Sequence, residues 1–459
     1  MKTALLIDFG STYTKLRAFD LDKGVVIGTS QGPSTVTTDI TVGMNFALDQ
    51  LENRVGKLPK FTYRLASSSA AGGLRIVAIG LVRELTLEAA RRAALGAGAK
   101  IVGSFAHKMN TADLRALVQL GPDIVLLSGG TDGGDVATVK HNAQLLGTSD
   151  LSCPVIFAGN RSALDDVEES LKNKLFINAE NVMPELNVLN IEPVREVIRQ
   201  VFIDRIVHAK GIDRAQTLFD SVLMPTPSAV LEAAKLLADG YGDMSGLGDL
   251  MILDPGGATT DVHSVSLGAP TNPAVVVRGL PEPRVKRTVE GDLGMRHNAS
   301  VIVDVVGIDR IAHDSGISVS VLKQMLDRFS SEANLLPVTN DEQKLDDVLA
   351  EHALRLSIIR HCGKTEIVYT ANGPVTAQEG KDLTQIKTLI GTGGVIAHNQ
   401  SARVLLRKAT LAESPGSLKP ENPNILVDKN YLLYSCGLLS AVEPAVALQI
   451  CKANLLEQE

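Results

Sequence analysis

The sequence predicts an α/β protein of two similar halves that face each other across a cleft, and three observations predict it. An apolar strand running into an aspartate and a glycine-bearing turn occurs twice, as LLIDFGSTYTKLRAFD and again as MILDPGGATTDVHSV. Each copy opens a series of short apolar strands joined by turns, the pattern of a β-meander. After each meander, apolar strands alternate with helices, which calls for crossover connections and a largely parallel, buried sheet. The 459 residues also exceed what one core accommodates, so size alone favours two or more domains with a cleft between them.

Taken in order, residues Thr3 to Ser30 read as three antiparallel strands, with FGST and DLDKG as the turns. Helical spacing runs from Asp39 to Leu51. The strands GLRIVAIGL, AKIVGSF, PDIVLLSGG and CPVIFAGN then alternate with the helices TLEAARRAAL, TADLRALVQL and SALDDVEESL. The stretch from Pro193 to Gly240 reads as helical, and PTPSAVLEAAKLL is expected to start a helix at its serine after two prolines. DGYGDMSGLGD holds four glycines in eleven residues and divides the chain into halves at 1–240 and 248–459. A second meander begins at Leu250. Beyond it come EGDLGMRHNA, a helical region to about Leu356, the strand IKTLI, the loop GTGG, a helix to Thr410, a proline-rich loop and a closing helix.

Composition narrows the function. Apolar residues make up 44% and charged residues 21%, which suits a well-packed globular protein. Aromatics are only 3%, with no tryptophan, which disfavours sugar stacking or an aromatic platform for single strands. The net charge is −7 with dispersed basic residues, so no nucleic acid or anionic membrane is an expected partner. Cys153, Cys362, Cys436 and Cys451 stand far apart with no metal-ligand spacing, and they read as reduced thiols. The chain enters a strand at once and has no apolar run near the roughly 20 residues of a membrane span, so a cytoplasmic location is expected.

The two hairpins align without a gap at an offset of 246 residues, pairing Asp8 with Asp254, Gly10 with Gly256 and Thr14 with Thr260. Glycine turns let backbone N–H groups approach phosphate oxygens, and nearby hydroxyls add donors. Each strand-end aspartate offers a hard oxygen for Mg2+. Lys15 adds a point charge for terminal phosphates, while its counterpart is Asp261, so that role belongs to one half. Either DxG alone is as well explained by an ordinary tight turn, but turn chemistry does not require the aspartate twice. The GTGG loop, Gly391 to Gly394, is a strand-to-helix turn that can face an anion or a purine, or simply make room for packing. A P-loop is missing, since the GKT at Gly363 lacks its upstream glycine, and a Rossmann site fits badly because the first strand runs into a hairpin.

These motifs resemble the superfamily of actin, sugar kinases and heat-shock chaperone ATPase domains, whose fold is a duplicated ribonuclease H-like unit around a nucleotide cleft. IDFGSTYTK, LLSGGTDGGD, LDPGGATTDVHSV, TVEGDLGMRHNA and IGTGGVIAH are similar over the whole chain to the glutamate (methylaspartate) mutase accessory protein family. The resemblance implies a weak Mg-ATPase, binding ATP or ADP, that reactivates an adenosylcobalamin-dependent mutase by nucleotide-driven domain motion. It implies that Asp8 and Asp254 hold Mg2+, and that Gly10, Ser11, Thr12, Lys15, Gly256, Gly257, Thr259 and Thr260 line the phosphates. Gly391, Thr392, Gly393 and Gly394 would lie against the adenosine. Glu290 and Asp292 are candidates to orient an attacking water, with helix capping and a solvated turn as the bland alternative. LLSGGTDGGD shapes the cleft, a partner surface, or only a packed turn. His297, His361 and His398 read as hydrogen-bonded structural residues. In YSCGLLSAV a small-residue face allows a close helix crossing at a hinge. A small-molecule kinase and an actin-like assembly protein are the rival functions, whereas an iron-sulfur activator lacks its cysteine set.

Overall fold

The first strand, Thr3–Phe9 (β1), is buried along its whole length, so both of its faces are covered. In the computed structural model it pairs antiparallel with Tyr13–Asp20 (β2), which pairs antiparallel with Val25–Pro33 (β3). Tyr63–Ser68 (β4) lies parallel to β1, and Leu223–Pro225 (β5) parallel to β4. The sheet order is therefore β3-β2-β1-β4-β5. The described residues are 1–10, 13–35, 38–68, 74–209, 223–296, 298–331, 337–371 and 373–456. Ser11, Thr12 and His297 lie outside them.

The second half repeats this plan. Leu250–Pro255 (β6), Thr260–Val265 (β7), Val285–Glu290 (β8), Thr388–Gly391 (β9) and Asn424–Val427 (β10) form a sheet in the order β8-β7-β6-β9-β10. Its first three strands are again an antiparallel meander, and β9 and β10 again run parallel to β6. This is the duplicated ribonuclease H-like topology of the actin-type fold, and the expected pair of meanders is present. Alternation along β1 and β6 sorts their side chains. Leu5, Ile7 and Phe9 face the first half's own core, and Met251 and Leu253 face the second's. Ala4, Leu6, Leu250 and Ile252 all enter one shared core between the halves.

That shared core is built on the helices that follow the last strand of each sheet, Thr226–Asp239 and Leu433–Leu439. A Cβ on Gly437 would stand 1.7 Å from the Ala229 carbonyl oxygen, so only glycine allows this crossing. The small-residue face expected in YSCGLLSAV thus lies where the two halves meet. The helix expected to start at Ser228 in fact begins at Thr226, with proline in its first turn and no side-chain cap. Pro227 has no N–H to satisfy, so the first turn tolerates it without a serine. All four cysteines are free and buried.

Between β4 and β5 the chain builds a second, wholly parallel sheet from Lys100–Ala106, Arg75–Gly80, Ile124–Leu127, Val155–Phe157 and Phe176–Asn178, in that spatial order. The four strands read from sequence here are all present, each at its expected stretch. Its glycine loop leads into a helix, Ala137–Gly147, that the sequence reading did not include; Asp135 accepts from the Thr138 N–H at 3.1 Å. Among the described residues between β8 and β9 lie four helices, from Ala299–Val306 to Asn340–His361, and two strands, Lys364–Thr370 and Gly373–Glu379, that pair with each other, the second pairing also with Val276–Arg278. These strands carry many exposed positions and no apolar alternation, which is why the sequence did not reveal them. No helix among the described residues is long and apolar enough to cross a membrane.

Candidate functional site

The two hairpins share one register. In the first, Asp8 stands opposite Lys15 and Phe9 opposite Thr14; in the second, Asp254 stands opposite Asp261 and Pro255 opposite Thr260. The turns close with the same bond, from Gly10 N–H to Tyr13 O at 3.0 Å and from Gly256 N–H to Thr259 O at 2.8 Å. A Cβ on Gly10 would meet Tyr13 O at 2.6 Å, and one on Gly256 would meet Thr259 O at 3.1 Å, so the tight turn accounts for the glycine in both. The offset of 246 residues therefore holds in three dimensions, down to individual hydrogen bonds.

Asp8 is buried and well supplied with donors. Thr226 Oγ donates to its carboxylate at 2.6 Å and Ser67 Oγ at 3.3 Å, while Lys15 Nζ stands 3.4 Å away. Lys15 also lies 4.2 Å from the ring centre of Tyr431, a cation–π contact that crosses from the first half to the second. Tyr431 has φ 51°, a left-handed conformation that costs a tyrosine energy and marks a position held by its surroundings. Burial, then the charges of Asp254 and Asp8, keep its phenol protonated well beyond the usual range.

Asp254 differs. It is half-buried, and no hydrogen bond from the described residues reaches its carboxylate. Its pKa is pushed up to about 7, by burial first and then by Asp261, with Lys15 opposing and Asp428 and Asp8 adding to the rise. Asp261, Lys15, Asp428 and Asp8 thus all lie within electrostatic range of Asp254. Gly393 has φ 86°, and a Cβ there would come within 2.3 Å of the Asp254 carboxylate. The GTGG loop thus presses its backbone against the second aspartate. Gly391 meets a packing demand instead, since its Cβ would stand 2.5 Å from Leu406, while Gly394 faces open space. Thr392 Oγ donates to Asp428 at 2.8 Å.

Asp261, the counterpart of Lys15, is occupied. Arg287 Nε donates to it at 2.8 Å, and the other end of that guanidinium donates to Leu95 O at 2.9 Å and Ala99 O at 3.1 Å. Thr259 Oγ also donates to Asp261, at 3.0 Å, and Thr260 Oγ donates to Leu293 O at 2.7 Å, so both hydroxyls named from sequence have protein acceptors.

TVEGDLGMRHNA turns out to brace the second turn. Met295 N–H donates to Gly256 O and Arg296 N–H to Gly257 O, and Asn298 donates to Ala258 O and Gly291 O. Gly294 packs so closely that a Cβ would meet the Ala258 backbone at 2.4 Å. Glu290 pairs across β8 with Thr260, and it shares the Arg360 guanidinium with Asp292, each at 2.8 Å. Burial raises the Glu290 pKa, with Arg360 opposing; for Asp292 burial pulls upward but Arg360 prevails and lowers it. His361 is buried between Thr288 and Ser264, each at 2.8 Å, as a structural histidine.

The sequence reading missed Thr226, Asp428, Tyr431 and Arg287. A signal existed for one of them: NILVDKN is a third apolar strand ending in aspartate. Asp428 is fully buried at the end of β10 and accepts from the N–H groups of Leu432 and Leu433, from Thr392 and from Asn454. Among the described residues no group of three His, Cys, Asp or Glu side chains is placed to cage a metal.

The profile of the protein family described as "MutL protein" matches residues 4–455. Protein MutL of Clostridium tetanomorphum is 42% identical over an aligned span of 464 positions that covers 100% of both chains. Among solved structures, a diol dehydratase-reactivating factor in nucleotide-free form overlaps with a TM-score of 0.37 at 10% identity, over 96% of this chain and 99% of its own. Component A of Acidaminococcus fermentans (R)-2-hydroxyglutaryl-CoA dehydratase overlaps with a TM-score of 0.33 at 11% identity, over 99% of both chains. Xylulose kinase of Bifidobacterium adolescentis gives 0.32 at 11% identity, over 98% of this chain and 93% of its own.

Proposed function

The chain belongs to the MutL family, and from that premise we propose that it is an ATP-binding accessory protein for an adenosylcobalamin-dependent mutase such as glutamate (methylaspartate) mutase. The observation that carries the nucleotide part is that two hairpins of identical register bring Asp8 and Asp254 within electrostatic range of each other. The residues fit a magnesium nucleotide. Asp254 has no hydrogen-bond donor among the described residues and lies in the field of three other carboxylates, so a divalent cation would relieve it. Mg2+ keeps several waters and takes only one or two carboxylates beside phosphates, so a pair of aspartates suffices without a protein cage. Bound there, Mg2+ would neutralise phosphate charge and polarise the terminal phosphoryl group.

The chain's own residues supply the rest. Gly257, whose missing side chain would meet nothing nearer than Arg296 at 3.9 Å, leaves space beside the turn backbone for phosphate oxygens, and Lys15 is near enough to exchange the Tyr431 ring for a phosphate. Gly394, with no atom near its missing side chain, is the member of GTGG open to a nucleoside. Glu290 is the better placed of the two acidic candidates to accept a proton from water, because burial raises its pKa and Arg360 holds its orientation. Two routes lead from the site to the hinge. Thr226, bonded to Asp8, is the first residue of one crossing helix, and Asp428 caps the start of the other. A change in charge at the aspartates therefore acts on both helices at the Ala229–Gly437 crossing, which is how nucleotide state would set the angle between halves and act on a partner.

The test is association of the purified protein with a cobalamin-dependent glutamate mutase, with ATP, with ADP and without nucleotide, alongside release of phosphate from labelled ATP. Slow hydrolysis stimulated by the mutase and nucleotide-dependent association are expected. Phosphate appearing on a small metabolite, or association indifferent to nucleotide, would overturn the reading.

A further inference from the structure

Away from the hairpins, helices Ala299–Val306, Ile308–Ser315 and Asn340–His361 border a cavity of about 280 Å3. Val305, Val306 and Leu356 give it apolar walls, and Arg310, His352 and Arg355 its polar ones. Two of those three are committed. Arg310 Nε lies 2.8 Å, and His352 Nε2 3.0 Å, from the same oxygen of Asp314.

Arg355 is not committed. Four arginines have an enclosed Nε with no acceptor: Arg17, Arg195, Arg199 and Arg355. The first three place their remaining nitrogens on carbonyls or carboxylates. Arg355 alone of the four makes no hydrogen bond or ion pair with the described residues, and Lys419 adds a second positive charge near it. Only its Nε is enclosed; the terminal nitrogens stay open to solvent and can take an acceptor that enters the cavity.

We propose that this cavity binds a small organic carboxylate. The planar fork of Arg355 matches a carboxylate in two parallel hydrogen bonds, and Val305, Val306 and Leu356 receive a short aliphatic body. Free phosphate suits it less, because Arg310 and His352 are already held by Asp314, and Val305, Val306 and Leu356 offer no donors for further phosphate oxygens. At about 30 Å3 per water the space equals roughly nine waters, which sets the ligand at metabolite size. This site is separate from the paired hairpins and does not rest on the nucleotide reading.

The test uses the full-length protein without nucleotide, with butyrate and glutarate as probes and butyramide, inorganic phosphate and a glutamate-ended acetyl peptide as comparators. Binding is followed by saturation-transfer NMR and calorimetry. The acids are expected to bind at least about tenfold more tightly than the amide, with the same loss in R355Q and a smaller one in R310Q. R355K, which keeps the charge and loses the fork, is expected to fall between. Equal binding of butyramide, unchanged binding in a folded R355Q, tighter binding of phosphate, or binding of the peptide but of neither free acid would each overturn the proposal. The comparison of acid with amide on the unaltered protein decides it even where R355Q does not fold.

Discussion

The two hairpins have the same backbone and opposite electrostatics. At the position across from the aspartate, the first carries Lys15 and the second Asp261. Asp8 consequently has its balance within the protein, from a lysine and two hydroxyls, whereas Asp254 faces another carboxylate and has its pKa pushed up to about 7. Like charges opposite each other on paired strands are unfavourable. Arg287 offsets this by taking Asp261, and it spends its remaining donors on Leu95 and Ala99 carbonyls of the inserted unit. A duplicated backbone thus carries one aspartate whose charge the described residues balance and one whose charge they do not.

The contrast can be broken most strongly at Arg287. Arg287→Leu strands a buried Asp261 beside Asp254, and a loss of about 3–5 kcal/mol in urea unfolding is expected, partly restored by adding Asp261→Asn. Next is the aspartate pair itself. Asp254→Asn is expected to weaken Mg-ATP binding by about a hundredfold in calorimetry, yet to raise the melting temperature of the metal-free protein at pH 8. The sign follows from the raised pKa: the folded state binds the proton more tightly than the unfolded one, so this carboxyl favours folding at low pH and loses that contribution as pH rises from about 4 to about 7. Asp8→Asn has no such gain, because it removes a partner of Lys15, and its melting temperature is expected to fall.

The same raised pKa predicts that Mg2+ affinity in the presence of nucleotide climbs about tenfold per pH unit below 7 and levels off above it, a dependence that Asp254→Asn abolishes. Smaller in effect, Gly393→Ala forces a Cβ to 2.3 Å from the Asp254 carboxylate at a positive φ, and a cost of about 1–3 kcal/mol is expected. Gly394→Ala meets nothing and should change stability by less than about 0.5 kcal/mol. Smallest is the ring beneath Lys15: Tyr431→Phe keeps the cation–π contact, while Tyr431→Leu removes it and should cost about 0.5–1 kcal/mol.

Much of the local structure was readable in advance. Asp39 caps the helix Ile40–Val55 through the Thr41 N–H, and Thr111–Leu120 matches its expected stretch end to end behind a capping box. Both are settled by side chains a few residues from the backbone they serve. The two DxG hairpins were readable for the same reason. What lay hidden was reach across the chain. Thr226, read within a proline-led helix start, is 218 residues from the aspartate it bonds, and Arg287 is 192 residues from the Leu95 carbonyl it ties. The GTGG glycines read as one motif but answer three demands: packing against Leu406, closeness to Asp254 and open space.

By itself the sequence determined where each half begins, the shared register of the hairpins and the identity of the aspartates, because turn chemistry and strand alternation act between neighbours. Tertiary structure alone decided that those aspartates lie within electrostatic range, that one of them has no hydrogen-bond donor among the described residues, and that one crossing helix starts at a bond to Asp8 and the other at Asp428. Charge and burial at such a point are sums over groups brought together from the whole chain, and no local stretch contains them.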